Sequence, residues 1–165
     1  VVERAPEPGY IIEFARLLES IGRIDEAEQQ WSVFDATQAL FAANGVLPDA
    51  TATLADAERG RLDRALEDAA AGVRSRPFLD MHYAHAWTLH LAGRNAEALE
   101  AIDRALQLGT RNARFHFHAG MIALALGDVD RAERELELAV AINPAFDPLS
   151  APQARAALAD LDAGR

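Results

Sequence analysis

A Gly-Arg or Gly-Asp dipeptide returns along this chain at Gly22-Arg23, Gly60-Arg61, Gly93-Arg94 and Gly127-Asp128. The intervals between these glycines are 38, 33 and 34 residues. A recurring interval of roughly 20–50 residues marks a stacked repeat, whose units are too small to bury their own apolar faces and depend on their neighbours. Other residues keep the same phase. Five positions after each glycine stands an alanine: Ala27, Ala65, Ala98 and Ala132. Seven before Gly127 is Gly120, and the matching positions upstream are Ala15, Thr53 and Ala86. Pro77 and Pro144 lie seventeen residues after Gly60 and Gly127.

Each mark has a mechanical reading. A glycine can end a helix in the left-handed conformation at little cost. Three residues later Asp25, Asp63 and Asp130 place a carboxylate at the start of a second helix, where unpaired N–H groups and the dipole favour it. The small residue on the first helix and the alanine on the second fall where the two helices cross. Proline closes the second helix. Between these marks the apolar residues keep helical period, as in Leu99, Ile102, Ala105 and Leu106, or in Leu136, Ala139 and Val140. Alanine supplies about a fifth of the 165 residues and is the best helix former.

The pattern resembles the tetratricopeptide repeat (TPR) family, whose unit is a 34-residue helix–turn–helix. Residues 113–146 carry Gly120, Ala132, Leu136, Ala139 and Pro144 in the family's order. Residues 79–112 follow with Ala86, Ala98, Ile102 and Ala105, but have Thr110 where proline is usual. Residues 46–78 keep Ala65 and Pro77 but place Asp56 where an apolar or aromatic residue is expected. Residues 10–45 carry Phe14, Ala15, Leu18, Ala27 and Trp31, and their second helix is expected to run on through Phe34, Leu40 and Phe41 to Asn44-Gly45. After Pro144, Ser150 reads as a helix N-cap with Pro152 in the first turn, opening a capping helix at about 150–162 with Ala154, Ala157, Leu158 and Leu161 on one face. The expected fold is an all-α TPR solenoid, a single domain of about four repeats plus this helix, wound as a short right-handed superhelix.

A further resemblance, carried by 41–46, 108–113 and 118–122, is to the C-terminal part of longer bacterial multi-TPR proteins without an assigned activity. It implies that more repeats precede Val1, and the chain opens Val1-Val2-Glu3-Arg4 without Met or a signal-like segment.

In the TPR family the first helices line a concave groove that binds a peptide or protein segment. Carried over position by position, the inner wall presents Ile12 and Arg16, then Ala50 and Leu54. Next come Tyr83, Trp87, His90 and Leu91, and then Phe117, Met121 and Leu124. Two turns of aromatic and thioether side chains on such a face imply a peptide-binding groove. The alternatives are that the terminal helix, or a second copy of the chain in a homodimer, covers them. Some TPR domains clamp the carboxylate tail of heat-shock chaperones with Lys, Asn and Arg. Here Lys is absent, since all sixteen basic residues are Arg, and the corresponding surface carries Tyr83, Trp87 and Phe117 instead.

The formal net charge of -10 opposes nucleic acid and anionic lipid as partners. No apolar run approaches the ~20 residues of a membrane span. Without cysteine there is no disulfide, thiolate ligand or thiol nucleophile. No phosphate-binding glycine loop, Gly-x-Ser-x-Gly elbow or dinucleotide fingerprint occurs, so neither catalysis nor a cofactor is expected. Glu133, Glu135 and Glu137 read as a solvated helix face. His82 and His85 share a helix face, and His116 lies one repeat beyond His82. Weak divalent-metal binding by these three is a minor alternative to histidines packed between repeats. A third possibility is purely structural, the segment capping a longer solenoid.

Overall fold

The computed structural model describes residues 7–164, so residues 1–4, which open the chain, lie outside the described part. Nine α-helices and no strand occur among the described residues: α1 (Pro8–Ser20), α2 (Ile24–Ala43), α3 (Ala50–Glu58), α4 (Leu62–Ser75), α5 (Leu79–Leu91), α6 (Asn95–Leu106), α7 (Ala113–Ala125), α8 (Val129–Ile142) and α9 (Ser150–Ala163). Consecutive helices pair as α1/α2, α3/α4, α5/α6 and α7/α8. Each pair leans on the next, and α9 packs on α8.

The turns inside the pairs are built alike. Gly22, Gly60, Gly93 and Gly127 take φ values of 75°, 80°, 77° and 77°. In each turn the following N–H then reaches back to close the helix end, as from Arg23 to Leu18 O at 2.9 Å and from Asp128 to Ala123 O at 3.0 Å. That is the left-handed C-terminal cap only glycine adopts without strain. The first and third repeats lack the closing proline and use glycine instead, with Gly45 ending α2 at φ 73° and Gly109 following α6 at φ 69°. The long second helix of the first pair thus reaches Ala43.

Two capping expectations need correction. Asp25 and Asp63 sit in the first turns of α2 and α4, yet neither helix has a side-chain cap hydrogen bond, so their contribution is to the dipole. In α8 the cap is Asp128, whose Oδ1 accepts from Arg131 N at 3.1 Å. At α9 it is Asp147 rather than Ser150. Asp147 Oδ1 accepts from Leu149 N at 2.9 Å and from Ser150 N at 2.7 Å. The carboxylate, two and three residues upstream, reaches both orphan amides, which places Ser150 inside the helix.

The core runs through the stack. Ile11, Ile12, Ala15, Trp31, Phe34, Ala52 and Ala55 join the first pair to α3. Tyr83, Ala86, Leu89, Ala98, Ile102, Phe115 and Ile122 join α5, α6 and α7. Phe34 and Phe117 are among the largest fully buried side chains, and burying each stabilises the fold by about 1.5–3 kcal/mol. Where α7 crosses α8, Gly120 lies against Leu136 and the backbone of Ala132. Asp56, out of place in the apolar pattern, is buried and paired. Arg61 Nη1 donates to its Oδ1 at 3.0 Å, and Arg64 lies 3.5 Å from Oδ2. Arg59 and Arg61 also bind Asp35, so an ion network ties α2 to the second pair where a hydrophobic contact was expected.

Candidate functional site

The odd-numbered helices face inward, and the inner side is built first from rings. On α5 the residues Tyr83, Trp87 and His90 recur at helical spacing. On α7 Phe115 and His118 do the same. The two sets interleave into a column of five. Phe115 stacks on Tyr83 (4.1 Å between centroids), Tyr83 on His118 (5.0 Å), His118 on Trp87 (3.6 Å) and Trp87 on His90 (4.7 Å). Burial, aided by the positive charges of Arg16 and Arg114, holds the His118 pKa well below the usual imidazole value. A neutral ring therefore sits between the Tyr and Trp faces. Burial also lowers His90, outweighing its Nδ1 contact to Asn95 Oδ1 at 2.7 Å. Burial raises the Tyr83 phenol. His118 Nδ1 and Trp87 Nε1 are buried with no hydrogen-bond partner among the described residues.

This column changes the expected surface. Tyr83, Trp87 and Phe117 are only 6%, 8% and 1% exposed, so they do not form an open aromatic wall. Phe117 and Trp87 pack with Ala154 of α9, while Met121 and Leu124 are half-buried beside Ala157, Leu158 and Leu161. The small Ala154 lets the terminal helix close over these rings. Of the seven groove positions, Leu91 is the most open at 37%, and His90 is half-buried.

Charges complete the inner face. Arg16 of α1 donates from Nε to Asp147 Oδ2 and from Nη2 to Asp147 Oδ1, both at 3.0 Å, and its Nη1 pairs with Glu58 at the end of α3. Arg114 of α7 donates to Glu13 Oε1 at 2.6 Å and to Asp147 Oδ2 at 3.2 Å. Burial alone would raise the Asp147 pKa. The Arg16 hydrogen bonds and charge, the Ser150 amide and Arg114 outweigh it and bring the pKa down to about 2. Glu58 goes the other way, raised by burial that Arg16 only partly offsets.

Two cavities flank this network. One, of about 230 Å³, is lined by Ile12, Leu54, Tyr83, Arg114, Phe115 and His118 together with the ion pairs. The other, of about 310 Å³, lies towards the C-terminal ends of α1, α3 and α5, among Trp31, Arg59, Trp87, Leu91, Phe117 and Gln153. Arg16, Glu58 and Ser150 line both. A separate apolar recess of about 590 Å³ runs between Met121, Leu124 and α9.

The histidines on the other helix faces do not assemble a metal site. His116 Nδ1 lies 2.7 Å from Glu135 Oε2, and no group of three potential ligands converges among the described residues. Of the residues expected on the inner wall, Ile12, Arg16, Ala50, Leu54 and Tyr83 line the first cavity. Sequence reasoning missed Glu58, Arg114, Phe115, His118 and Asp147. The i, i+3 spacing of Phe115 and His118 was the available signal for the rings.

Helix pairs stacked in phase around such an inner face define a helical-repeat solenoid. Within that class the Tetratricopeptide repeat family matches residues 54–112 and 83–148, and the chain belongs to this family. TTC0263, a thermophilic TPR protein of Thermus thermophilus, is similar in structure, with a TM-score of 0.64 at 21% identity over 96% of this chain and 82% of that one. PcrH, solved in complex with the chaperone binding region of PopD, gives a TM-score of 0.59 at 22% identity over 78% of this chain and 92% of that one. At such identities the likeness is one of fold. No curated protein matches the chain in sequence. No helix among the described residues is long and apolar enough to cross a membrane.

Proposed function

We propose that this chain is a non-catalytic scaffold that binds a segment of another protein on its inner face. The contact surface is the recess between Trp31, Leu91, Gln153 and the edges of Trp87 and Phe117. The observation that carries the reading is this apolar, aromatic-edged opening beside paired charges. It offers anchor pockets for side chains and polar groups to fix register. Tyr83 and His90 act from behind by stacking, and Met121 and Leu124 supply a second apolar patch along α9. The similar PcrH, seen with the chaperone binding region of PopD, supports a protein segment as the class of ligand.

The test is selection of binding peptides from a random library, followed by titration against surface variants. Leu91→Asp is expected to weaken the selected peptides about tenfold or more, the loss of one anchor. Val33→Asp, at an exposed position on α2, is expected to leave them unchanged. Equal affinities for both variants would reject the recess as the contact surface.

One observation favours a second reading, in which the chain extends a longer solenoid or pairs with its own copy. Tyr10, Phe14, Leu17 and Ile21 form an exposed apolar stripe along α1 at helical spacing, the kind of face a neighbouring helix covers.

A further inference from the structure

The inner face is not one channel. The two cavities share Arg16, Glu58 and Ser150, so the Arg16 guanidinium and its partners stand between them. Its anchors come from opposite ends of the stack. Arg16 belongs to the first helix, while Asp147 lies 131 residues away in the turn that starts the last one. Helix packing does not explain this meeting, because α1 packs mainly on α2 and α9 on α8. Side chains span the distance, Arg16 reaching Asp147 directly and Glu13 through Arg114.

We propose that this bridge is a gate: Arg16 clasps Asp147 across the inner face, and its release joins the two cavities into one channel that admits the bound segment. The proposal rests on the segment-binding reading above. Three features suit Arg16 to that role. Opening breaks no helix hydrogen bond, since every contact involved is between side chains. A buried ion pair that opens into water recovers the hydration of both partners together, so it separates more readily than an apolar contact of equal area. The Asp147 carboxylate is not left bare, because Arg114 remains on it and it stays fixed by capping α9. The arginine is therefore the moving part and the aspartate the fixed post.

The chain contains no cysteine, so the pair Ser20→Cys and Ala159→Cys, at exposed positions of α1 and α9, accepts spin labels at those two sites alone. Pulsed dipolar spectroscopy on the unliganded protein reads the distance between them. With Arg16 present a single narrow distribution is expected. Arg16→Met, which keeps the stem and removes the charge, is expected to shift it to longer and broader distances at unchanged far-UV helicity. Glu58→Gln loosens one of the two anchors without touching the α9 cap, and should move part of the population the same way. It decides the matter if Arg16→Met unfolds. Coincident distributions for the parent and the folded variants would overturn the gate. Because no peptide is present, that failure would leave the recess standing, and failure of peptide selection would leave the gate standing.

Discussion

The helix crossing at Gly120 makes a quantitative prediction. A Cβ added there would lie 2.7 Å from Leu136 Cγ, 2.9 Å from Leu136 Cδ2 and 3.2 Å from the Ala132 carbonyl oxygen. Leu136 and Ala132 are fully buried, so neither can retreat towards solvent. Replacing glycine by alanine inside a helix is by itself favourable by about 0.5–1 kcal/mol. Overpacking a filled core costs about 1–3 kcal/mol. Gly120→Ala is therefore expected to destabilise by about 1–2 kcal/mol, a fall of roughly 2–8 °C in Tm for a domain of this size. Gly9, in the first turn of α1, supplies the internal control, because a Cβ there meets nothing within 4 Å among the described residues. The same substitution at Gly9 should be neutral or stabilise by up to about 1 kcal/mol. Urea unfolding followed by circular dichroism at 222 nm gives both signs in one experiment. A Gly120→Ala protein as stable as the parent, or more so, would refute the close-crossing argument.

Three further predictions concern the core and the charges. Ala132→Leu, at the same crossing, should cost about 1–3 kcal/mol, while Ala96→Leu on the exposed side of α6 should cost well under about 1, both read by the same unfolding assay. Asp147 has a folded pKa depressed from 3.8 to about 2, so its stabilisation is present above about pH 4 and is lost as pH falls towards about 2. At about 1.4 kcal/mol per pKa unit this amounts to about 2 kcal/mol. Asp147→Asn should be less stable than the parent by that amount at pH 7 and converge with it near pH 2. Glu58 opposes this, since its raised pKa means that protonation above the usual carboxylate range relieves a cost of burial. Glu58→Gln should abolish that shallow gain on mild acidification.

The repeat was legible because its marks are local. A glycine that must turn left-handed, and an alanine that must let a neighbour approach, leave their trace at fixed intervals whatever the rest of the molecule does. The end of α2 at Ala43 could be read from Asn44-Gly45 for the same reason. What sequence alone could not give are meetings between distant repeats. Nothing within a window around Asp147 shows that Arg16 will arrive there, because curvature summed over several helix pairs brings them together. The rings of α5 and α7 line the inner cavities but are largely buried there. Their closure depends on two things that pattern does not encode: the interleaving of Tyr83 and Trp87 with His118, and the small residues of α9 that let it lie over Phe117. By residue type Ser150 reads as the cap, yet the Asp147 carboxylate takes that role. The bidentate grip of Arg16 fixes the carboxylate where it meets two amides.

The interleaved rings also act as a gear between the third and fourth helix pairs. The first four teeth, Phe115, Tyr83, His118 and Trp87, alternate between α7 and α5, so a rotation of one pair against the other would have to slide these flat rings out of register. The pitch of this half of the solenoid is thereby set by aromatic thickness. Among the described residues no such file of stacked rings joins the first and second pairs, where Trp31 and Phe34 meet edge to face and the ion network of Asp35, Asp56, Arg59 and Arg61 lies alongside.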